Sequence, residues 1–97
     1  MEIKHRKDGS KGAFYIEENS RLLGEMTYSM AGPGLMIIDH TEVDDALKGQ
    51  NAGLQLLNKA ADFARTNQLK IIPLCPFANA MFKRKPEVFG DLLHKSE

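Results

Sequence analysis

Three places in this 97-residue chain carry groups able to do chemistry: Cys75, His40 and the run Lys48-Gly49-Gln50-Asn51-Ala52-Gly53. Cys75 precedes Pro76, and proline suits the first position of a helix because its missing N–H is not needed there. A thiol at a helix start is placed to act as a thiolate nucleophile or as an acid. The plainer alternative is a buried, inert packing residue, which most free cysteines are. His40 is of the residue type that most often takes or gives a proton in catalysis, or it can simply cap a strand end. The run at 48–53 is a turn that opens a helix. The first amides of a helix have no intrahelical partner, and the helix dipole adds partial positive charge there. Two glycines let backbone approach a bulky phosphate and Lys48 adds a formal charge, so the turn suits the pyrophosphate of a nucleotide-containing cofactor.

The elements that must hold these groups follow from periodicity. Residues 2–7 read as a first strand, and Asp8-Gly9-Ser10-Lys11-Gly12 as a turn. Residues 13–18 alternate with Phe14 and Ile16 on one face. Arg21–Met30 alternates further, with Leu22, Met26, Tyr28 and Met30 facing inward. These segments form an antiparallel meander. Leu35-Met36-Ile37-Ile38 is apolar on both faces, as a central strand should be, and it turns polar toward Val43. Ligands gather at the carboxyl ends of strands in open α/β sheets, which draws interest to His40 and Glu42. The next helix carries Leu54, Leu57, Ala61 and Ala64 as its apolar stripe, widened by Leu56, Ala60 and Phe63.

Residues 69–74 make a short strand parallel to the one ending at Val43, through a right-handed crossover. Pro73 gives no ladder hydrogen bond, so the pair should part near it and leave a gap. A helix follows from Pro76 with Phe77, Ala78, Met81 and Phe82 on its apolar face. A closing segment at 86–94 packs Val88, Phe89, Leu92 and Leu93. The expected fold is therefore α/β: an α+β mixed sheet in which an antiparallel meander leads into a parallel βαβ unit with splayed strands. His40, the 48–53 turn, Pro73 and Cys75 then gather at one end of the sheet.

Composition narrows the function classes. Ninety-seven residues make a single domain, 1–97, with 42% apolar and 27% charged residues. Thirteen basic and thirteen acidic side chains balance, so no bulk field attracts nucleic acid. One cysteine precludes an internal disulfide and a multi-cysteine zinc site, and no metal site is expected. There is no apolar leader at the start and no run long enough to span a membrane, so the expected setting is the cytoplasm. Asp44 and Asp45 read as turn residues. Lys83-Arg84-Lys85 is either a solvated face or a second phosphate contact.

These residues resemble the GNAT N-acetyltransferase superfamily, especially its short single-domain members of about a hundred residues. The family's phosphate turn runs Gln/Arg-x-x-Gly-x-Gly/Ala, and Lys48-Gly49-Gln50-Asn51-Ala52-Gly53 lies on it. Gly53 matches the last position, Lys48 stands for the usual Arg or Gln, and Asn51 replaces the usual glycine. Ile72-Pro73-Leu74-Cys75-Pro76-Phe77, with Pro86-Glu87 downstream, is similar to the short subfamily. The resemblance covers roughly residues 21–87. It implies acetyl-CoA as donor, bound between the splayed strands with its pyrophosphate on the turn. Backbone near Val43 would grip the pantetheine or polarise the acetyl carbonyl, and an amine on a protein, peptide or small molecule would be the acceptor. His40 would be the base, with Glu42 as a second base or an amine-holding group. Cys75 would be either the acid or a nucleophile that carries the acetyl group. The competing expectation is an acyl-CoA-binding module without catalysis. A monomer is expected, or a weak dimer paired through the edge at 2–7.

Overall fold

The computed structural model describes residues 1–95. Five strands lie side by side in chain order: β1 (Lys4–Asp8), β2 (Lys11–Glu18), β3 (Arg21–Met30), β4 (Leu35–Val43) and β5 (Lys70–Pro73). The first four form an antiparallel meander, and β5 joins β4 in parallel after a crossover through helix α1 (Ala52–Thr66). Helix α2 (Pro76–Arg84) follows β5, and a short helix α3 (Pro86–Phe89) leads into a 3-10 turn, Gly90–Leu92. The mixed sheet and its crossover are those expected from the sequence. The first strand starts later than anticipated, at Lys4.

The polar turns set the register. Asn19 and Ser20 both have positive φ, 52° and 64°, which turns β2 into β3 with the twist that a two-residue hairpin needs. The inward alternation of β2 then places Phe14 and Ile16 in the core. The β3 pattern does not hold at its start. Ile16 pairs with Gly24 while Glu17 pairs with Leu22, so Leu23 is an extra residue in the ladder. A bulge of this kind reverses which side chains face inward. Leu22 is therefore 50% exposed, against the expectation, and Leu23 is buried in its place. Met26 and Tyr28 face inward as expected.

A second bulge lies in β4. Tyr28 pairs with Ile38 and Thr27 with His40, which leaves Asp39 as the added residue. Met36 and Ile38 are fully buried under α1, whereas Leu35 and Ile37 on the other side are only half-buried. β4 is thus central in its pairing, with β3 and β5 on its flanks, but one of its faces is not covered by a helix. The apolar stripe of α1 closes the core through Leu56, Leu57, Ala60, Ala61 and Ala64. α2 adds Ala78, Met81 and Phe82, and Phe89 stacks on Phe82 with ring centroids 5.2 Å apart. In the closing segment Phe89 and Leu92 are buried, but Val88 and Leu93 remain over a third exposed, a correction to the expected packing.

Side chains fasten the ends. The Arg65 guanidinium donates to both carboxylate oxygens of Asp91 (3.1 and 3.0 Å) and to the Val88 carbonyl (2.6 Å), tying the end of α1 to the C-terminal turn. This hydrogen bonding holds the Asp91 carboxyl below its ordinary range. At the opposite edge the His5 ring stacks on Phe14 (centroids 4.4 Å apart) and sits edge-on to Phe63 of α1 at 4.8 Å. Among the described residues no helix is long and apolar enough to cross a membrane.

Candidate functional site

The β4–β5 pairing ends at Ile38 and Pro73. The Ile38 carbonyl accepts from the amides of Leu74 (3.0 Å) and Cys75 (3.1 Å), and there the segment leaving β5 turns away into α2. Pro73 stands at the point of separation, as the sequence indicates. Beyond it β4 runs on to Val43 with a partner on one side only, β3. Hydrogen-bonded and non-bonded pairs alternate in an antiparallel ladder. The Asp44 amide donates to the Leu23 carbonyl at 2.7 Å, so Glu42 and His40 also direct their peptide groups toward β3. By the same alternation Thr41 and Val43 present theirs to the open side. Five residues of β4, from Asp39, thus give an unpaired edge of roughly 16 Å.

Cys75 occupies the corner of this opening. It is the N-cap of α2, with extended backbone (φ −68°, ψ 145°), and Pro76 takes the first helical position. The thiol is buried, 3% exposed. Its sulfur accepts from the Ala78 amide at 3.4 Å and lies 3.2 Å from the Thr41 hydroxyl. The sequence alone did not single out Thr41. It reaches the thiol because of the bulge at Asp39. Thr41 pairs with Met26, whose neighbour on β2 is the buried Phe14, so Thr41 lies on the helix-covered face of the sheet. Successive strand residues point to opposite faces, and His40 and Glu42 consequently lie on the outer face. His40 pairs with Thr27 there, and its Nε2 is 3.0 Å from Glu42 Oε1. Both side chains are well exposed, at 62% and 76%. Cys75 and His40 meet the same end of β4, but from opposite faces.

The turn preceding α1 lies beyond a 3-10 turn, Asp45–Leu47, which Asp44 caps by accepting from the Ala46 amide at 2.8 Å. Asp44 and Asp45 are thus turn-builders, as their types suggest. Gly49 has φ 83°, a left-handed angle. Asn51 is the N-cap of α1 with φ 54° and ψ 37°, also left-handed, and its side chain makes no capping hydrogen bond. Asparagine tolerates this region better than most residues, which explains how it can stand where glycine is usual. The first intrahelical bond runs from the Gln55 amide to the Asn51 carbonyl. The amides of Asn51, Ala52, Gly53 and Leu54 therefore form the unpartnered helix start. Lys48, Gly49, Gln50 and Asn51 are exposed, while Ala52 is buried. Gly53 has a packing reason of its own: a Cβ there would lie 2.9 Å from the Phe77 ring of α2. This contact brings the starts of α1 and α2 together beside the opening.

Other charged groups lie elsewhere. Lys83 and Arg84 sit in the last turn of α2, roughly a helix length (~13 Å) from Cys75, where they suit the negative end of the dipole. On the outer face an open concavity of about 620 Å³ is bounded by Arg6, Lys11, Thr27, Ser29 and Asp39, among others. Ser29 and Asp39 are hydrogen-bonded across it at 2.6 Å. It lies on the His40 side of the sheet and not on the thiol side. Among the described residues no three His, Cys, Asp or Glu side chains gather as a metal site.

Comparison with known proteins agrees with this architecture. Residues 13–92 match the family model described as GCN5-related N-acetyl-transferase. The chain is similar to a GCN5-like putative N-acetyltransferase from Staphylococcus aureus, whose structure was determined in solution by NMR. The two are 36% identical over 99% of this chain and 90% of that one, with a TM-score of 0.71. A ribosomal-protein-alanine N-acetyltransferase from Brucella melitensis biovar Abortus 2308 shares the fold at 15% identity, over 93% of this chain and 66% of that one, with a TM-score of 0.66. No curated protein matches the chain.

Proposed function

The chain belongs to the GCN5-related N-acetyltransferase family, and from that premise we propose that it transfers an acetyl group from acetyl-CoA to an amine. The observation that carries this reading is a pair of backbone surfaces, unpartnered among the described residues, that both border the start of α2, where Cys75 touches Thr41 and Phe77 lies against Gly53. One is the free helix start at Asn51, Ala52, Gly53 and Leu54, and the other is the open β4 edge at Thr41 and Val43. The residues fit an extended donor. The helix start and the exposed Gly49–Gln50 backbone suit a pyrophosphate, with Lys48 adding charge. The peptide groups of Thr41 and Val43 suit the amides of pantetheine.

The bulge at Asp39 supports a division of labour between the faces. His40 lies on the outer face with Glu42, so it takes the proton from an ammonium arriving on that side. The freed amine attacks the thioester carbonyl, a C–N bond forms, and the C–S bond breaks. Cys75, on the helix-covered face, gives its proton to the departing sulfur, and the second proton that the nitrogen sheds as the amide forms returns to the Cys75 sulfur, restoring the thiol. In the covalent variant the Cys75 thiolate attacks first, releases CoA, and passes the acetyl group to the amine. Intact mass after mixing with acetyl-CoA alone separates the two routes, a 75-acetyl adduct marking the second. The uncovered outer face favours an amine carried on a protein or peptide over an enclosed small molecule.

Calorimetric titration with CoA and acetyl-CoA is the primary test. Binding of both, followed by acetylation of an amine panel, is the expected result. Absence of heat and of any thermal shift for either ligand would remove the proposal. A second reading, an acyl-CoA-binding module without catalysis, is favoured by the exposure of His40 and Glu42, since a poised base is usually held more firmly. Tight binding with no turnover against protein, peptide and small amines would select it.

A further inference from the structure

We propose that Thr41 is a positioning residue, whose hydroxyl holds the Cys75 sulfur at the corner where β5 leaves β4. Its consequence for turnover rests on the acetyl-transfer reading above. The hold on the sulfur does not. Among the described residues two polar groups lie within hydrogen-bond reach of the sulfur: the Ala78 amide at 3.4 Å and the Thr41 hydroxyl at 3.2 Å. The amide can only donate. While Cys75 is a thiol, its own hydrogen needs an acceptor, and Thr41 Oγ1 is in place to accept it. When the proton leaves, the hydroxyl rotates and donates to the thiolate, alongside Ala78. Thr41 therefore serves the sulfur in both protonation states, which a group with one fixed role could not do.

The fold makes this contact stiff. Thr41 is β-branched, with restricted χ1, and it sits in a strand whose other side is laddered to β3. Its orientation toward Cys75 comes from the bulge at Asp39, which turns Thr41 to the helix face and His40 away from it. The Thr41 peptide group meanwhile points to the open edge. One residue thus offers its backbone to the slot and its side chain to the thiol, linking the donor's position to the sulfur's.

The test uses the chain's single cysteine, whose S–H stretching band is the only one in the infrared spectrum. Thr41→Val removes the hydroxyl and keeps the shape, Thr41→Ala is a second hydroxyl-free variant should valine fold poorly, and Thr41→Ser restores the group. The expected result is a band that moves to higher frequency in the valine and alanine proteins. Serine should return it toward wild type. With acetyl-CoA and an accepted amine, kcat should fall about three- to tenfold in the hydroxyl-free variants, the worth of one hydrogen bond. KM for acetyl-CoA should stay constant, and serine should rescue kcat. Identical spectra in the wild type and both hydroxyl-free variants overturn the hold on the sulfur, and a shifted band with unchanged kcat overturns its consequence for turnover. A shifted band in a chain that acetylates nothing counts against the acetyl-transfer reading and upholds the hold on the sulfur.

Discussion

At the scale of single residues, the turn before α1 divides its requirements between two positions that look alike in sequence. Asn51 needs left-handed backbone, whereas Gly53 needs the absence of a side chain. The two make opposite predictions. Asn51→Gly should change stability by only a few tenths of a kcal/mol, since glycine reaches φ 54° without strain. Asn51→Val should cost about 1–3 kcal/mol, because a β-branched residue resists that region. Gly53→Ala should cost about 1–3 kcal/mol through its clash with the Phe77 ring, and Phe77→Leu in the same chain should recover part of it. Urea unfolding of each variant measures all three. Equal costs for Asn51→Gly and Gly53→Ala would refute the distinction. Cys75 adds a residue-scale prediction for chemistry: Cys75→Ala should lower kcat with little change in KM for acetyl-CoA. Unchanged kcat in that variant would remove both its acid and its nucleophile roles.

At the scale of elements, the strands and helices were legible because their apolar periods are strong, and the misread facing in β3 sits where a bulge breaks the period. Leu22 and Leu23 are adjacent leucines, and nothing in alternation alone says which is the inserted residue. The ladder settles it, with Leu23 buried at 5% exposure and Leu22 half in water. Leu23→Ala should therefore cost about 2–5 kcal/mol, and Leu22→Ala should fall within about 0.5 kcal/mol of wild type. Thermal or urea unfolding that ranks them the other way would contradict the bulge. The same physics limited the reading of the site. The place of Cys75 at a helix start was legible from Pro76, which marks such a start by its own chemistry, and the strand separation was legible from Pro73. Thr41 was not, because an unbulged β4 would have turned His40 toward the thiol and Thr41 away. Phe77 was legible as core, but not as the reason for Gly53, since that contact joins two helices far apart in sequence.

At the scale of the whole molecule, a single helical layer leaves the edge strand β1 attached mainly through β2 and one aromatic cluster. Its sequence Lys4-His5-Arg6-Lys7 is basic, and pairing it with a second copy would stack like charges, a deterrent to edge association. His5 anchors it: the ring stacks on Phe14, meets Phe63 of α1 edge-on, and lies 2.6 Å from the hydroxyl of buried Tyr28. Burial, with Lys7 nearby as a lesser cause, pushes the His5 pKa below its ordinary 6.5, and burial pushes Tyr28 above its ordinary 10.0. The unfolded chain therefore takes up the His5 proton at a higher pH than the folded one does. Stability from this cluster is whole above pH 6.5 and declines as the pH falls from there through the folded-state value. His5→Gln keeps a hydrogen-bonding side chain for Tyr28 but does not titrate. Subtracting its unfolding free energy from that of the wild type at each pH isolates the histidine, since the carboxylates and the other histidines are common to both proteins. The difference should fall between pH 7.5 and 5.5 in the wild type's disfavour, and amide exchange in β1 should quicken over the same range as the edge strand loosens. Parallel stability curves for the two proteins would show that the cluster holds β1 by packing alone, with no contribution from the charge state of His5.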